Sequence, residues 1–203
     1  MEVSVVIPNF NGIAFLDSVL ASLEGQTLNN FEVILVDNGS TDGSCSFVTA
    51  NYPWVHLIEL SENFGFCGAV NAGIRAAKAS YVLLLNNDTE VKEDFVEEML
   101  AAIRRHKNAF SCGARMVQYH DRDKLDDVGN YYCALGWSFA RGRGKDIHAY
   151  ETEDRIFSAC AGAAIYRKKI LEKIGYFDEE HFAYLEDTDI GYRARIYGYE
   201  NWY

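Results

Sequence analysis

The sequence predicts an α/β domain built on a mainly parallel sheet with helices on both faces. Short runs of β-branched, aromatic and leucine residues alternate with stretches whose apolar residues recur at helical spacing. Such alternation is typical of right-handed βαβ units, in which each crossover helix covers the sheet. The 203 residues, of which 49% are hydrophobic, are enough for one domain with a sizeable core.

In the first half of the chain, four predicted strands are each followed by a helix. The strands are predicted at residues 3–7, 31–36, 55–60 and 81–85. The last is an unbroken apolar run, which is typical of a strand buried on both faces. Helical spacing and small-residue stretches place the helices at residues 13–23, at a segment ending at 51, at 68–78 and at 94–106. Ser40, Thr41 or Asp42 is expected to cap the second helix.

The second half is less regular. A fifth strand is predicted at 109–117, and a strand of small residues at 158–167 would allow a ligand or another backbone to approach closely. A short helix follows at 168–174, and a last helix ends at Gly198. Residues 118–157 have no sustained periodicity, which indicates a functional loop or partial disorder. Their aromatic side chains either stack on sugar rings or fill a small hydrophobic patch.

The composition excludes several classes of protein. The net charge of −11 argues against a nucleic-acid binder, which would need a basic surface. Five cysteines without a C-x-x-C pair indicate free thiols in a reducing compartment rather than a disulfide framework or a zinc site. Because neither a signal peptide nor an apolar run of about 20 residues is visible, we expect a soluble cytoplasmic protein.

Polar side chains follow all four strands of the first half. Ligands bind beyond the carboxyl ends of parallel strands, so these side chains are expected to converge on one edge of the sheet. They are Asn9, Asn11, Asp37, Asn63, Asn86 and Asp88. The pattern favours a nucleotide-binding site, in which Asp88 could hold a divalent cation against a phosphate. Taken alone, the run from Asn86 to Asp88 is also what an Asx turn requires.

Three acidic residues, Glu186, Asp187 and Asp189, gather at the expected start of the last helix. A structural explanation makes Asp187 the N-cap, leaves Glu186 in solvent and pairs Asp189 with Arg193 one turn later. We adopt it for Asp189. Asp187 could also serve as a general base, because a well-fixed carboxylate can take a proton from a hydroxyl within hydrogen-bonding reach.

Other common sites are absent from the sequence. No G-x-G-x-x-G follows the first strand, so a Rossmann dinucleotide site is not expected, and no G-x-x-x-x-G-K-[ST] phosphate loop occurs. The five histidines lie without metal-ligand spacing, and no G-x-S-x-G nucleophile motif is present. A metal-assisted nucleotide site with a separate acid cluster remains.

Several motifs occur together and in a fixed order along the chain. They are Val5-Val6-Ile7-Pro8-Asn9-Phe10-Asn11, Val36-Asp37-Asn38-Gly39-Ser40-Thr41-Asp42-Gly43, Asn63-Phe64-Gly65, Asn71-Ala72-Gly73, Leu85-Asn86-Asn87-Asp88, Gly162, Arg167, Gly175-Tyr176-Phe177-Asp178-Glu179 and Glu186-Asp187-Thr188-Asp189. In this combination the chain resembles the inverting nucleotide-sugar glycosyltransferases of family 2. The resemblance covers nearly the whole chain and implies the GT-A fold, a Rossmann-like nucleotide-sugar-binding domain.

The resemblance also implies which residues bind the donor. They are Pro8, Asn9, Asn11, Asp37, Asn63, Asn71, Asn86, Asn87 and Asp88. By this resemblance the first three line the pocket for base and ribose, and Asp37 hydrogen-bonds the pyrimidine. Asn63 and Asn71 would lie near the ribose and the diphosphate.

The family's D-x-D motif is replaced here by Asn86-Asn87-Asp88, which implies Asp88 as the ligand of Mg²⁺ or Mn²⁺. Since the amide oxygen of Asn86 is a weaker ligand than a carboxylate, a lower metal affinity is expected. Asp187 is similar to the family's catalytic base, and Glu186 would support it or contact the acceptor. The Asn-x-Asp form, together with the Gly-Tyr-Phe-Asp-Glu run, is most similar to the rhamnosyltransferase-like branch.

The same resemblance implies one catalytic domain over 1–203, with a nucleotide-sugar-binding half at 1–117 and an acceptor and catalytic half at 118–203. The last residues look like a strand just beginning, so we expect the chain to be truncated at its C-terminus. The implied reaction is metal-dependent, inverting transfer of a hexosyl or rhamnosyl group in polysaccharide biosynthesis. Its donor would be a UDP- or dTDP-sugar and its acceptor a glycan or lipid-linked saccharide. We expect the protein in the cytoplasm, where the acceptor allows peripheral association with the inner face of the membrane.

Two other functions stay open at this point. A non-catalytic module that binds a nucleotide sugar or glycan would bind donor without transferring it. A sugar-phosphate nucleotidyltransferase would need a Gly-rich, basic loop after the first strand to hold a triphosphate, and residues 8–12 contain no basic side chain.

Overall fold

The computed structural model describes residues 1–203. The first half contains four strand and helix pairs, followed by a fifth strand. The strands are β1 (Val3–Asn9), β2 (Phe31–Asp37), β3 (His56–Glu59), β4 (Tyr81–Leu85) and β5 (Ala109–Gly113). The helices are α1 (Ile13–Glu24), α2 (Ser44–Asn51), α3 (Gly65–Ala76) and α4 (Phe95–Arg105).

The second half supplies short strands and two further helices. The strands are β6 (Met116–Val117), β7 (Leu125–Asp127), β8 (Asn130–Tyr132), β9 (Ser138–Ala140), β10 (Arg155–Ile156), β11 (Ala163–Arg167) and β12 (Glu200–Trp202). The helices are α5 (Lys168–Ile174) and α6 (Glu186–Ile196), with a 3₁₀ turn at Glu179–His181 before α6. None of the helices has the length and apolar character needed to cross a bilayer.

Eight of the strands form one sheet in the order β10-β12-β5-β11-β4-β1-β2-β3. The strands β4, β1, β2 and β3 run parallel, and β11 lies antiparallel between β4 and β5. The chain therefore builds outward from β1 to β3 and then crosses back to place β4 on the other side of β1. In open α/β sheets, this reversal of strand order opens a crevice that binds ligands.

Alternate residues of the central strands face two separate helical layers. Val5 and Leu83 pack on one side with apolar residues of α1, α2 and α4. Val6 and Leu84 point to the other side, against α3, α5 and α6. Both clusters contain more than twenty buried residues, so the predicted sheet covered on both faces is confirmed. This packing holds the carboxyl ends of β1, β2 and β4 in fixed positions.

Two sequence predictions about elements are wrong in detail. The fifth strand ends at Gly113 instead of 117, because its partner β11 begins at Ala163 and offers no further pairing; β6 pairs with β7 in a separate small sheet. The small-residue strand is likewise confined to Ala163–Arg167.

The expected helix caps also differ from the structure. Gly43, with φ of 92°, occupies the N-cap position of α2. Of the three candidates, Asp42 alone bonds the start of α2, where its carboxylate accepts from the Ser44 N–H at 3.0 Å. The same carboxylate accepts from the N–H of Ile13, the first residue of α1, at 2.9 Å. Leu185, and not Asp187, is the N-cap of α6.

Candidate active site

A cleft of about 300 Å³ opens where the strand order reverses between β1 and β4. Its lining residues come from the ends of β1 and β4, the loop after β2, the start of α3 and the segment before α6. They are Pro8, Asn9, Phe10, Asn38, Asn63, Gly65, Phe66, Asn86, Asn87, Asp88 and Phe182. A cleft of this size, lined by amides and one carboxylate, suits a polar ligand rather than an apolar one.

Asn9 ties together the ends of three strands at the floor of this cleft. Its buried amide donates from Nδ2 to Asp37 Oδ1 at 2.9 Å and to Ser40 Oγ at 3.3 Å. Its Oδ1 accepts from Asn87 Nδ2 at 2.7 Å. The strand-end side chains of β1, β2 and β4 therefore lie together at one edge of the sheet.

Gly12 packs directly against this network. A Cβ at this position would lie 2.1 Å from Asn87 Nδ2 and 2.5 Å from Asn9 Oδ1. Both distances are far inside van der Waals contact, so any larger residue would displace one amide or the other. The glycine is required here by close approach and not by its backbone angle, which is −108° in φ.

Asn38 fixes the loop that begins α3. It donates from Nδ2 to Asn63 Oδ1 at 2.8 Å and to the Gly65 carbonyl at 2.9 Å, and its Oδ1 accepts from the Phe64 N–H. Asn63 Oδ1 also accepts from the Gly65 N–H at 2.9 Å. These bonds aim the N-terminus of a twelve-residue helix at the cleft, where its N–H groups favour a negatively charged group.

Asp88 is the one carboxylate on the cleft, and its side chain is exposed. Asn86 lies beside it, and its backbone N–H donates to the Gly162 carbonyl at 2.8 Å. No group of three or more His, Cys, Asp or Glu side chains that could hold a metal ion alone is present. One carboxylate and one amide oxygen nevertheless fit a magnesium-type ion, which usually takes one or two carboxylates together with phosphate oxygens of the ligand.

A second polar cluster surrounds Asp187, in the first turn of α6. Its Oδ2 accepts from Asn130 Nδ2 at 3.1 Å, and its Oδ1 accepts from the Thr188 hydroxyl at 3.3 Å. The backbone of Ala161 lies close enough to this carboxylate to lower its pKa. Burial raises the pKa of Asp187 above its ordinary value, while the Asn130 hydrogen bond acts in the opposite direction.

Two further carboxyl groups lie near Asp187. Burial raises the pKa of Asp127, at the end of β7, to about 7, and the Asp187 charge contributes to that rise. Burial also raises the pKa of Glu186, and its Oε2 is buried without a hydrogen-bond partner. Groups with raised pKa values gathered in one place are typical of sites that move protons.

The cleft and the acid cluster are joined through one short loop. The Gly162 carbonyl accepts from the Asn86 N–H at the cleft, and the backbone of the neighbouring Ala161 lies beside the Asp187 carboxylate. Gly162 allows this close contact, because a Cβ there would lie 3.2 Å from Asn86 Nδ2. The two parts of the site are therefore held by the same piece of backbone.

The chain enters α6 through a segment with positive φ angles at Phe182, Tyr184 and Leu185, of 56°, 72° and 67°. Such angles are costly for residues with a Cβ and cluster at functional sites. Phe182 also lines the cleft, and its carbonyl accepts from the Cys67 N–H at 3.3 Å in the first turn of α3. This strained segment links the start of α3 to Glu186 and Asp187.

The structure brings most of the expected donor residues to the cleft, but not all of them. Asn71 is buried in α3, where its amide donates to the Phe177 carbonyl and to Glu179 and accepts from the Phe177 N–H. It is not among the residues that line the cleft. Neither is Asp37, which accepts from the Ser40 N–H, nor the exposed Asn11, which accepts from the Thr41 N–H. Their expected roles in donor binding stay predictions.

Several site residues were missed by reasoning from the sequence. Asn38 follows β2 directly, so the same strand-end argument could have included it. Phe182, Asp127 and Asn130 lie in segments without periodicity, and no local signal pointed to them. The pairing of Asp189 with Arg193 is confirmed, with Oδ2 accepting from Nε at 2.8 Å.

The fold and this arrangement of residues define a nucleotide-sugar-binding α/β domain of the GT-A type. The profile described as "Glycosyl transferase family 2" matches residues 4–175. The chain therefore belongs to glycosyltransferase family 2.

Two curated relatives show how the chain compares with characterised sequences. It is 31% identical over 133 residues to the glycosyltransferase GlyG of Streptococcus pneumoniae, covering 64% of this chain and 42% of GlyG. It is 26% identical over 211 residues to the N-acetylglucosaminyl-diphospho-decaprenol L-rhamnosyltransferase of Mycobacterium tuberculosis, covering 93% of this chain and 69% of that enzyme. The chain thus spans less than half of GlyG and about two thirds of the rhamnosyltransferase.

Two solved structures share the fold at low sequence identity. The S. aureus TarS 1–349 structure in complex with UDP-GlcNAc superposes with a TM-score of 0.71 at 22% identity, covering 96% of this chain and 53% of TarS 1–349. The mannosyltransferase PcManGT of Pyrobaculum calidifontis, in complex with GDP-Man and Mn²⁺, gives a TM-score of 0.71 at 18% identity, covering 98% and 53%. These similarities establish the fold.

Proposed function

We propose that the chain transfers a sugar from a UDP- or dTDP-sugar to an acceptor hydroxyl with inversion at the anomeric carbon. One observation carries the proposal: a polar cleft at the reversal of strand order and an oriented carboxylate, Asp187, lie on either side of the Ala161–Gly162 backbone. The cleft suits a nucleotide and the carboxylate suits removal of a proton. Because the cleft and the carboxylate lie against the same backbone, they suit a reaction that needs a bound donor and a base in a fixed arrangement.

Donor binding is supported by the lining of the cleft. The amides of Asn9, Asn63 and Asn87 are held by hydrogen bonds, and the positive end of the α3 dipole faces the position proposed for a diphosphate. Asp37 would act mainly by fixing Asn9, because both of its oxygens already accept hydrogen bonds. The complex of TarS with UDP-GlcNAc agrees with a donor of this class.

Asp88 and Asn86 would hold a divalent ion, Mg²⁺ or Mn²⁺. When bound, such an ion supplies positive charge that neutralises a leaving diphosphate. A positive ion is needed because the chain has a net charge of −11, which would repel a diphosphate unless a cation offset it. The Mn²⁺ in the PcManGT complex is in accord with this role.

Asp187 would act as the general base. It takes the proton from the acceptor hydroxyl while that oxygen forms a bond to the anomeric carbon. The bond from that carbon to the phosphate oxygen breaks, and the nucleoside diphosphate leaves with the electron pair. Glu186, whose Oε2 is buried without a partner, lies next to it for support or for contact with the acceptor.

The acceptor is proposed to be a glycan or a lipid-linked saccharide in polysaccharide biosynthesis. The name of the mycobacterial relative, a rhamnosyltransferase acting on a decaprenol-linked sugar, favours a lipid-linked acceptor and a hexosyl or rhamnosyl donor. We propose a cytoplasmic protein that meets such an acceptor at the inner face of the membrane by peripheral association.

Thermal unfolding with UDP and with dTDP, each with and without Mn²⁺, tests donor binding. A ligand that binds only the folded state stabilises it by about 2.7 kcal/mol at a hundredfold excess over Kd. The expected result is a metal-dependent rise of the midpoint with one nucleotide, which is lost in Asp88→Ala. No rise with either nucleotide would overturn the donor assignment.

A further inference from the structure

Asn130 is held rigidly beside Asp187. Its buried amide donates from Nδ2 to Ser158 Oγ at 3.1 Å and to Asp187 Oδ2 at 3.1 Å. Its backbone N–H donates to the Ser158 carbonyl at 2.9 Å, and its own carbonyl accepts from the Phe157 N–H at 3.1 Å. Two backbone hydrogen bonds thus fix the main chain at Asn130, and two side-chain hydrogen bonds orient its amide toward α6.

The turn before Asn130 is fixed by Asp127. The buried carboxyl accepts from the Gly129 N–H at 2.6 Å. Gly129 has φ of 99°, and a Cβ there would lie 2.6 Å from the Cδ1 of Ile156. Only glycine fits at this position, so the turn delivers Asn130 to Asp187 in one geometry.

We propose that Asn130 is a positioning residue for the reaction, and that its amide orients the Asp187 carboxylate toward the acceptor hydroxyl. The inference rests on the proposed role of Asp187 as the base. It gives the irregular segment between β7 and β10 a role, because Asn130 in that segment hydrogen-bonds Asp187 on α6. Asn130 itself does not touch the reacting atoms.

An amide suits this task better than a charged donor. Both of its hydrogens are used, so Asp187 Oδ2 receives a directed bond while Oδ1 takes the Thr188 hydroxyl. A neutral donor leaves the carboxylate more basic than an arginine or lysine would, and a base must retain some affinity for its proton. The bond therefore fixes direction and lowers the pKa of Asp187 less than a charged donor would.

The ionisable groups around Asp187 come from several elements. They are Glu186 on α6, Asp127 at the end of β7, Cys160 in the loop before β11 and Tyr166 on β11, with His181 facing Glu186 and with Asp126 and Arg143 facing Asp127. Arg143 and His181 are the cations among them, and neither bonds Asp187. Loss of the Asn130 hydrogen bond would thus raise the pKa of Asp187, because no cation bonded to the carboxylate would compensate.

The test is a direct titration of Asp187, which needs neither donor nor acceptor. Protein labelled with ¹³C at the aspartate carboxyl carbons is titrated by NMR, and the Asp187 signal is identified by its loss in Asp187→Asn. Asn130→Ala should move the Asp187 midpoint to higher pH. Asn130→Asp, which keeps the volume but replaces the donor with a carboxylate, should move it further in the same direction.

Asn201→Ala is the matched control. Asn201 is also buried and donates to the Phe157 carbonyl at 2.6 Å and to the Gly191 carbonyl at 3.1 Å, so it also ties α6 to the same segment. It has no hydrogen bond to Asp187, so its loss should lower stability and leave the Asp187 midpoint in place.

The outcomes separate this inference from the proposed function. If the midpoint of the Asp187 titration is the same in Asn130→Ala, Asn130→Asp and Asn201→Ala, the positioning role is overturned. This holds even if sugar transfer by these variants changes. If Asn130→Ala does not fold, Asn130→Asp decides the matter by the same criterion. Full sugar transfer by Asp187→Asn would overturn the base assignment while leaving the measured Asn130 effect intact.

Discussion

Asn87 donates a hydrogen bond from Nδ2 to Asn9 Oδ1 across 2.7 Å, joining the loop after β4 to the end of β1. Asn9 in turn donates to Asp37 at the end of β2. The floor of the cleft is thus one connected set of side chains, and a change in any of them is expected to be felt at the donor site.

Gly12→Ala should damage this floor. The new Cβ would overlap Asn87 Nδ2 at 2.1 Å and Asn9 Oδ1 at 2.5 Å, so one amide must turn away. Overpacking of this kind typically costs about 1–3 kcal/mol. We expect lower stability in urea unfolding and a smaller thermal shift with nucleotide.

Gly25→Ala is the control for that substitution. Gly25 ends α1 with φ of −85°, and a Cβ there would meet only the Ala21 carbonyl oxygen at 4.0 Å. Its stability and nucleotide shift should stay close to those of the parent. Equal behaviour of the two alanine variants would show that the contact between Gly12 and Asn87 does not support the cleft.

The dependence of turnover on pH should reflect the buried base. Burial raises the pKa of Asp187, and a base works only when it is deprotonated. Turnover is therefore expected to fall as the pH drops through a value above the ordinary range of an aspartate. Initial rates of UDP or dTDP release measured from pH 4 to 9, under saturating donor, would show this limb. A rate that stays flat down to the ordinary aspartate range would contradict the assignment.

Asp127→Asn should change how stability depends on pH. The folded pKa is about 7 against an ordinary 3.8, so the carboxyl favours folding below pH 4 and loses that contribution as the pH rises through 7. Asparagine stays neutral and keeps an oxygen for the Gly129 N–H, so the variant should gain up to about 4 kcal/mol over the parent at pH 8.

Urea unfolding at pH 4 and pH 8 measures this difference. Asp123→Asn, an exposed acid in the same segment, serves as the control and should leave the pH dependence unchanged. If Asp127→Asn is no more stable than the parent at pH 8, the carboxyl is not held in a buried, desolvated position.

The cleft could largely be predicted from the sequence because its residues lie at or after the ends of predicted strands. β1 and β4 are mainly apolar and buried, so their ends mark the edge of the sheet where Asn9 and Asp88 lie. Asn63 follows β3, a partly exposed edge strand. Parallel pairing then brings these ends together without any further information. The same logic extends to Asn38, which follows β2.

The surroundings of Asp187 could not be predicted in this way. Asn130 lies 57 positions before Asp187, in a segment whose short strands pair within small sheets and show no periodic pattern. The direction of the Asn71 side chain could not be predicted for another reason. It lies on α3 near the site, but the buried face of that helix points its amide at Phe177 and away from the cleft. The Asn71-Ala72-Gly73 motif does not show whether the Asn71 side chain points toward the cleft or toward Phe177.

The central claim is that Asp187 removes the acceptor proton in sugar transfer, and Asp187→Asn tests it most directly. Nucleoside diphosphate release and sugar transfer are measured for the parent, for Asp187→Asn and for Asp189→Asn, which alters a carboxylate engaged by Arg193 in the same helical turn. We predict that Asp187→Asn keeps its thermal shift with nucleotide and loses about 10²–10⁴-fold in turnover. Asp189→Asn should lose stability instead. Turnover of Asp187→Asn close to that of the parent would contradict the account.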